Sequence, residues 1–189
     1  MYVKYHTENH IAVITFFHPM SNSLPGEILS GMAEAIQKAG EDPEVRVIVL
    51  RSDGDKAFCA GASFDELASV QTMDEGQRFF SGFANVINAI RKVPQFVIAR
   101  VHAKAVGGGV GIASAADYAL AHESASVKLS ELAIGIGPFV IGPAVERKAG
   151  ASAYSALSMN ATAWYPASWA REKGVYSEVH ATIPDLDQA

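Results

Sequence analysis

Two short runs in this sequence put small residues where backbone N–H groups could face a ligand: Cys59-Ala60-Gly61-Ala62 and Gly107-Gly108-Gly109. Glycine lacks a Cβ, so such a run lets another group approach the main chain closely. Where a buried strand ends in glycines and a helix begins, several N–H donors face outward with no side chain in the way, which suits an anion. The spacing does not make a phosphate loop. Gly-x-x-x-x-Gly-Lys-Ser/Thr is absent, and Ile112 takes the last glycine place of Gly-x-Gly-x-x-Gly. If the Gly61-Ala62 turn lies beside the triple glycine, one N–H from each could converge on a single oxygen as an oxyanion hole. On spacing alone, a tight turn or close packing accounts for the glycines equally well.

The elements that must position these turns read as an α/β domain. Val3–Tyr5 and Ile11–Phe17 flank the polar Thr7-Glu8-Asn9-His10 as an opening β-hairpin. Pro25 fits a first helical turn, and Ile28, Leu29, Met32, Ala35 and Ile36 follow at helical spacing as far as Gly40. Val45–Leu50 and Phe96–Val101 are nearly continuous in apolar residues, as expected of strands covered on both faces, and Ser52–Ser63 reads as a loop. Between them a helix begins at Asp74-Glu75 and ends before Pro94, with Phe79, Phe80, Phe83, Val86, Ile87 and Ile90 on one side. Two buried strands joined through a helix imply parallel pairing with a right-handed crossover.

Val110–Ala116 follows the triple glycine as a small-residue helix. Tyr118–Ala121 and Val127–Leu129 read as short strands, and Pro143–Leu157 as a helix interrupted at Gly150. Trp169–Lys173 reads as a short helix closed by Gly174, and Val175–Val179 as a last strand.

Composition excludes several classes of function. A chain of 189 residues that is 49% hydrophobic can bury a core as one domain without staples. The formal net charge of -5 and the absence of a basic stripe argue against nucleic acid as a partner. No apolar run approaches the roughly 18 to 20 residues that span a bilayer, so no membrane is expected. The single cysteine, Cys59, cannot pair within the chain, and the N-terminus lacks a signal peptide's apolar core, so a cytoplasmic location is expected. Cys59 reads as a small packed residue. His6 and His10 stand across a predicted turn with no HExxH or paired-cysteine pattern, so no metal is expected. No serine sits in a Gly-x-Ser-x-Gly elbow. The stripe Phe79, Phe80 and Phe83 reads as core.

Lys56-Ala57-Phe58-Cys59-Ala60-Gly61-Ala62-Ser63, then Val97-Ile98-Ala99, Ala105-Val106-Gly107-Gly108-Gly109, Asp117 and Ser130-Glu131 together resemble the crotonase, or enoyl-CoA hydratase/isomerase, family in order and spacing. The resemblance covers nearly the whole chain. It implies the spiral ββα fold and an acyl-CoA thioester substrate, with CoA as part of the substrate and no separate cofactor. It further implies a homotrimer or dimer of trimers. By the same resemblance Ala62 and Gly108 supply the N–H donors, Ala60, Gly61, Gly107 and Gly109 shape the pocket, and Glu131 is the catalytic carboxylate. Without the resemblance, Glu131 reads as a surface carboxylate. Lys56 could meet a CoA phosphate, although an exposed loop lysine needs no ligand.

Departures from the family pattern sharpen the chemistry. Hydratases of the family carry one Glu two residues after the triple glycine and a second twenty residues later; here those places hold Gly111 and Glu131. Some relatives carry an acidic residue eight positions after the second Glu, where this chain has Phe139. Ala103 replaces a glycine usual before the triple-glycine turn. One carboxylate favours a proton shuttle within one face of the substrate, which is double-bond isomerisation. Hydration by a single Glu, with a water in the space beside Gly111, is the alternative. Family members continue beyond Val175–Val179 into a helical segment that covers the site. This sequence stops at Ala189, so the expectation is a single, C-terminally short domain over 1–189. A noncatalytic CoA-binding or assembly protein is the reading from a different class.

Overall fold

The computed structural model describes residues 1–189. β1 (Tyr2–Glu8) and β2 (Ile11–Phe17) form the expected hairpin, turning on Asn9 and His10, whose φ values are +50° and +66°. β3 (Ser23–Leu24) precedes α1 (Gly26–Glu41), where Pro25 is the residue before the helix and Ile28, Leu29, Met32 and Ile36 are buried. β4 (Val47–Ser52), β5 (Ala57–Cys59) and β6 (Gly61–Ala62) follow, so the stretch expected to be loop holds two short strands.

α2 (Phe64–Ser69) leads into α3 (Met73–Lys92), which opens on a capping box between Thr72 and Glu75. β7 (Phe96–Val101), β8 (Lys104–Val106) and α4 (Gly108–Ala115) come next, then β9 (Tyr118–His122), β10 (Val127–Lys128) and a 3₁₀ turn at Glu131–Ile134. α5 (Gly142–Met159) bends at Gly150, whose φ of +80° breaks the helix as expected. α6 (Ala167–Glu172), β11 (Glu178–His180) and α7 (Ile183–Gln188) complete the chain.

The order repeats a simple unit: a strand in a large sheet, a strand in a small sheet, then a helix. The large sheet runs β1-β2-β4-β7-β9-β11, parallel except for the first pair. A three-stranded parallel sheet runs β10-β8-β5, and β3 pairs with β6. This is the α/β ββα spiral. At its centre α4 is buried at all eight positions, which its Gly, Ala, Ser, Val and Ile content permits.

Two further expectations need correction. β4 and β7 are not covered equally on both faces: Ile48 and Leu50 are buried, while Val47 and Val49 on the opposite face are half-buried. Their apolar runs reflect strand propensity as well as burial. Val175 and Tyr176 are buried, but the last strand starts only at Glu178. The Tyr176 N–H instead donates to the Ala170 carbonyl, so apolar content there marks packing without a ladder. The terminal residues form α7, capped by Thr182, with Leu186 buried.

Candidate active site

The small parallel sheet delivers the site. In β10-β8-β5 all strands run the same way, with Lys128 beside Val106 and Cys59 beside Ala105. The chain therefore leaves their C-terminal ends together, where open α/β sheets hold ligands. β8 runs out into Gly107, β10 into Ser130-Glu131, and β5 into Ala60-Gly61-Ala62. Gly61 at φ +95° and Gly107 at φ +52° make the two sharp departures.

The glycine turns pack on each other. A Cβ on Gly109 would lie 2.6 Å from the Cys59 carbonyl oxygen, and one on Gly61 would lie 3.5 Å from the Val106 oxygen. A Cβ on Gly108 would run into the Phe83 ring. Close packing, one of the two readings the spacing left open, thus holds here.

Neither proposed donor is consumed by secondary structure. Leu24 lies opposite Ala62 and its carbonyl accepts the Ser63 N–H at 3.1 Å, so the Ala62 N–H points away from the β3–β6 ladder. Gly108 opens α4, where the first N–H groups have no intrahelical acceptor. Both residues line one pocket of about 300 Å³, together with Ala60, Gly61, Gly107 and Glu131.

Glu131 is the only ionisable side chain in that lining. A Cβ on Gly107 would sit 2.8 Å from Glu131 Oε1, so the carboxyl lies directly over the glycine. Its other oxygen, Oε2, is buried without a hydrogen-bond partner. Burial pushes its pKa above the ordinary carboxylate range, and a backbone hydrogen bond of Glu131 itself opposes this only in part. A buried, unpartnered carboxyl is costly for folding and characteristic of a group kept for chemistry.

The rest of the lining is mostly apolar. Phe79 and Phe80 meet edge to face at 5.2 Å, while Phe83 is a core residue whose ring also reaches the pocket. The stripe read as core is therefore core at one end and pocket wall at the other. A groove of about 780 Å³ between α1 and α3 is larger, but polar and charged side chains such as Glu34, Gln37, Asn85 and Lys92 line much of it. Size alone does not mark the site.

Four residues named from the sequence fall outside this lining. Lys56 is in an exposed turn before β5. Phe139 is 81% exposed, with its ring against Gly137. Gly109 faces Cys59. Gly111 faces Ile141, since a Cβ there would lie 2.5 Å from Ile141 Cγ2 and 2.7 Å from Ile141 Cβ. That side chain occupies the place of a Cβ at Gly111, beside which a water was expected. Cys59 is fully buried, with its thiol pushed up to about 12 by desolvation, in keeping with a packed residue.

Comparison with known proteins bears on the family directly. A model of the family described as enoyl-CoA hydratase/isomerase matches residues 6–188. The chain belongs to the enoyl-CoA hydratase/isomerase family.

Within this family it is similar to a probable enoyl-CoA hydratase of Bacillus subtilis, at 30% identity over 132 residues, which are 70% of this chain and 51% of the relative. A short-chain-enoyl-CoA hydratase of Clostridium acetobutylicum is 33% identical over 132 residues, covering 69% of this chain and 50% of that one. The crystal structure of an enoyl-CoA hydratase from Mycobacterium smegmatis superposes with TM-score 0.92 at 28% identity, covering 98% of this chain and 72% of the other. The chain spans about half the length of the curated relatives it matches. No helix is long and apolar enough to cross a membrane.

Several residues of the pocket lining were not anticipated from the sequence. Phe64 and Leu67 of α2, Ile134, Ile136, Val140 and Ile141 all line the pocket. The start of α2 was readable from Ser63 and Glu66, since the Ser63 hydroxyl accepts the Glu66 N–H at 3.3 Å. Asn22 was also missed. Its side chain accepts from the His18 N–H at 2.7 Å and donates to the Asp53 and Ala57 carbonyls at 2.9 Å, tying the β3 approach to β5. Asp117, part of the recognised pattern, is structural: its carboxylate accepts the Val97 N–H at 2.8 Å, joining the end of α4 to β7.

Proposed function

We propose that this chain acts on an enoyl-CoA thioester and moves its double bond from C3–C4 to C2–C3, with Glu131 as the sole base. The observation that carries this reading is the Glu131 carboxyl, with Oε2 buried and unpartnered, as the one ionisable group in a pocket that Ala62 and Gly108 also line. The Glu131 carboxylate takes a proton from C2 of the 3-enoyl thioester. Charge moves onto the thioester oxygen, where the two N–H groups stabilise the enolate. The same proton then returns to C4 as the C2–C3 double bond forms. A positioned base of this kind contributes on the order of 10²–10⁴ in rate, and one oxyanion donor about 3 to 4 kcal/mol.

The raised pKa of Glu131 favours this role, because a more basic carboxylate is better matched to a weakly acidic C–H. A second reading, hydration of 2-enoyl-CoA with Glu131 activating a water, draws support from the hydratase names of the relatives. Assembly as a homotrimer or dimer of trimers is part of the proposal.

The test is direct. Purified protein is given 2-enoyl- and 3-enoyl-CoA, and both products are followed, with Glu131→Gln as control. Faster isomerisation than hydration, lost in the variant, is expected. Faster hydration would reverse the order of the two readings, and CoA binding without turnover of either thioester would overturn both.

A further inference from the structure

Two glycines stand one turn apart at the start of α4, Gly107 as the residue before the helix and Gly111 within it, and each has a different occupant. The Gly111 N–H donates to the Gly107 carbonyl at 3.1 Å, so the two residues stack about 6 Å apart along the helix. Over Gly107 lies the Glu131 carboxyl, with Oε1 at 2.8 Å from the Cβ position. Over Gly111 lies the Ile141 side chain, whose Cβ and Cγ2 occupy the space a side chain at 111 would need. Both Ile141 and Glu131 line the same pocket.

Ile141 is held firmly. It is 3% exposed, and its carbonyl accepts from the Ala144 and Val145 N–H groups at 3.1 Å each, which fixes it at the start of α5. Its side chain is β-branched and stiff at χ1. The neighbouring Gly142 N–H donates to the Pro138 carbonyl at 2.8 Å, pinning the approach from the other side. Ile87 closes the back of the space, with Cδ1 at 3.4 Å from the Gly111 Cβ position. The three heavy atoms nearest the Gly111 Cβ position are thus all aliphatic carbons.

We propose that Ile141 determines the reaction of this site, by filling the space over Gly111 with hydrocarbon so that no water or second proton donor stands beside Glu131. This rests on the isomerase reading above and says what enforces it. Hydration of a 2-enoyl thioester adds hydroxide at C3 and a proton at C2, consuming one water that the base must hold in place. Isomerisation consumes nothing and needs the C2 proton kept on Glu131 until it reaches C4. A dry wall blocks the first process and protects the second.

The experiment compares Ile141→Ser and Ile141→Val with the wild-type chain, measuring kcat/KM for hydration of 2-enoyl-CoA and for isomerisation of 3-enoyl-CoA. The quantity read is the ratio of the two, which a general loss of folded protein does not move. Ile141→Ser is expected to raise the hydration-to-isomerisation ratio by about tenfold or more. Ile141→Val, which opens less space, is expected to raise it by about two- to threefold, and it decides the matter if the Ser variant does not fold.

A wild-type chain that isomerises, with a ratio unchanged in the folded variants, overturns the assignment of Ile141 and leaves the isomerase reading intact. A wild-type chain that turns over neither thioester overturns the isomerase reading. In that case Ile141 stands if a truncated variant gains hydration and falls if it does not.

Discussion

Gly107 and Gly111 sit one helical turn apart at the start of α4, both without side chains and both covered, yet their coverings are opposite in kind. Over Gly107 stands a carboxyl whose second oxygen has no partner. Over Gly111 stands an isoleucine buried in the core. The first arrangement costs folding free energy, since a charge there is desolvated and unpaired. The second stabilises the fold by burying apolar surface. The same glycine vacancy is thus covered once by a carboxyl and once by hydrocarbon.

The largest expected effect falls on the Gly107 side. Glu131→Gln should lower kcat/KM for 3-enoyl-CoA by about 10³, measured with the melting transition still cooperative. The same variant should melt above the wild-type chain at neutral pH. The sign follows from the raised pKa: the folded state holds the proton more tightly than the unfolded one. Stability tied to Glu131 is therefore full below the unfolded pKa and lost as pH rises through the folded one. The gap in melting temperature between variant and wild type should open over that range and close in acid.

Gly107→Ala should come next, with a loss of about 10² in kcat/KM. A methyl there displaces Glu131 Oε1 and must also adopt φ +52°, which side chains resist. Gly111→Ala should act mainly on stability, costing about 1 to 3 kcal/mol because Ile141 cannot yield easily. Denaturant titration of both variants beside their kinetics would break the comparison if the two substitutions gave the same profile. The smallest effect is a pH profile. Isomerisation should rise with pH as Glu131 ionises, with its midpoint above the ordinary carboxylate range, and kcat/KM against pH reads it.

Much of this was legible in the sequence, for identifiable reasons. The glycine turns, the small-residue helix between Gly108 and Ala115, and the ends of α3 and α5 are set by local chemistry: missing Cβ atoms, caps and breaks. Glu131 was readable only through its place in a recognised pattern, because nothing adjacent to it in the chain reveals that a parallel sheet carries it onto Gly107. The Gly111–Ile141 contact was not readable at all. Ile141 lies far along the chain in an Ile-Gly-Pro-Phe-Val-Ile-Gly-Pro stretch whose apolar residues alternate between exposed Phe139 and buried Ile141. Only the packing of α5 on α4 decides which of them meets the glycine. Asn22 was missed for a similar reason, since its three hydrogen bonds reach segments distant in sequence.

The central claim, a single base working in a dry pocket, is tested most directly by following one hydrogen. 3-Enoyl-CoA carrying deuterium at C2 is isomerised in ordinary water, and the 2-enoyl product is assayed for deuterium at C4. Substantial transfer of the label from C2 to C4 is predicted, because Glu131 holds it where water cannot exchange it. Complete loss of the label to solvent during isomerisation would contradict the account.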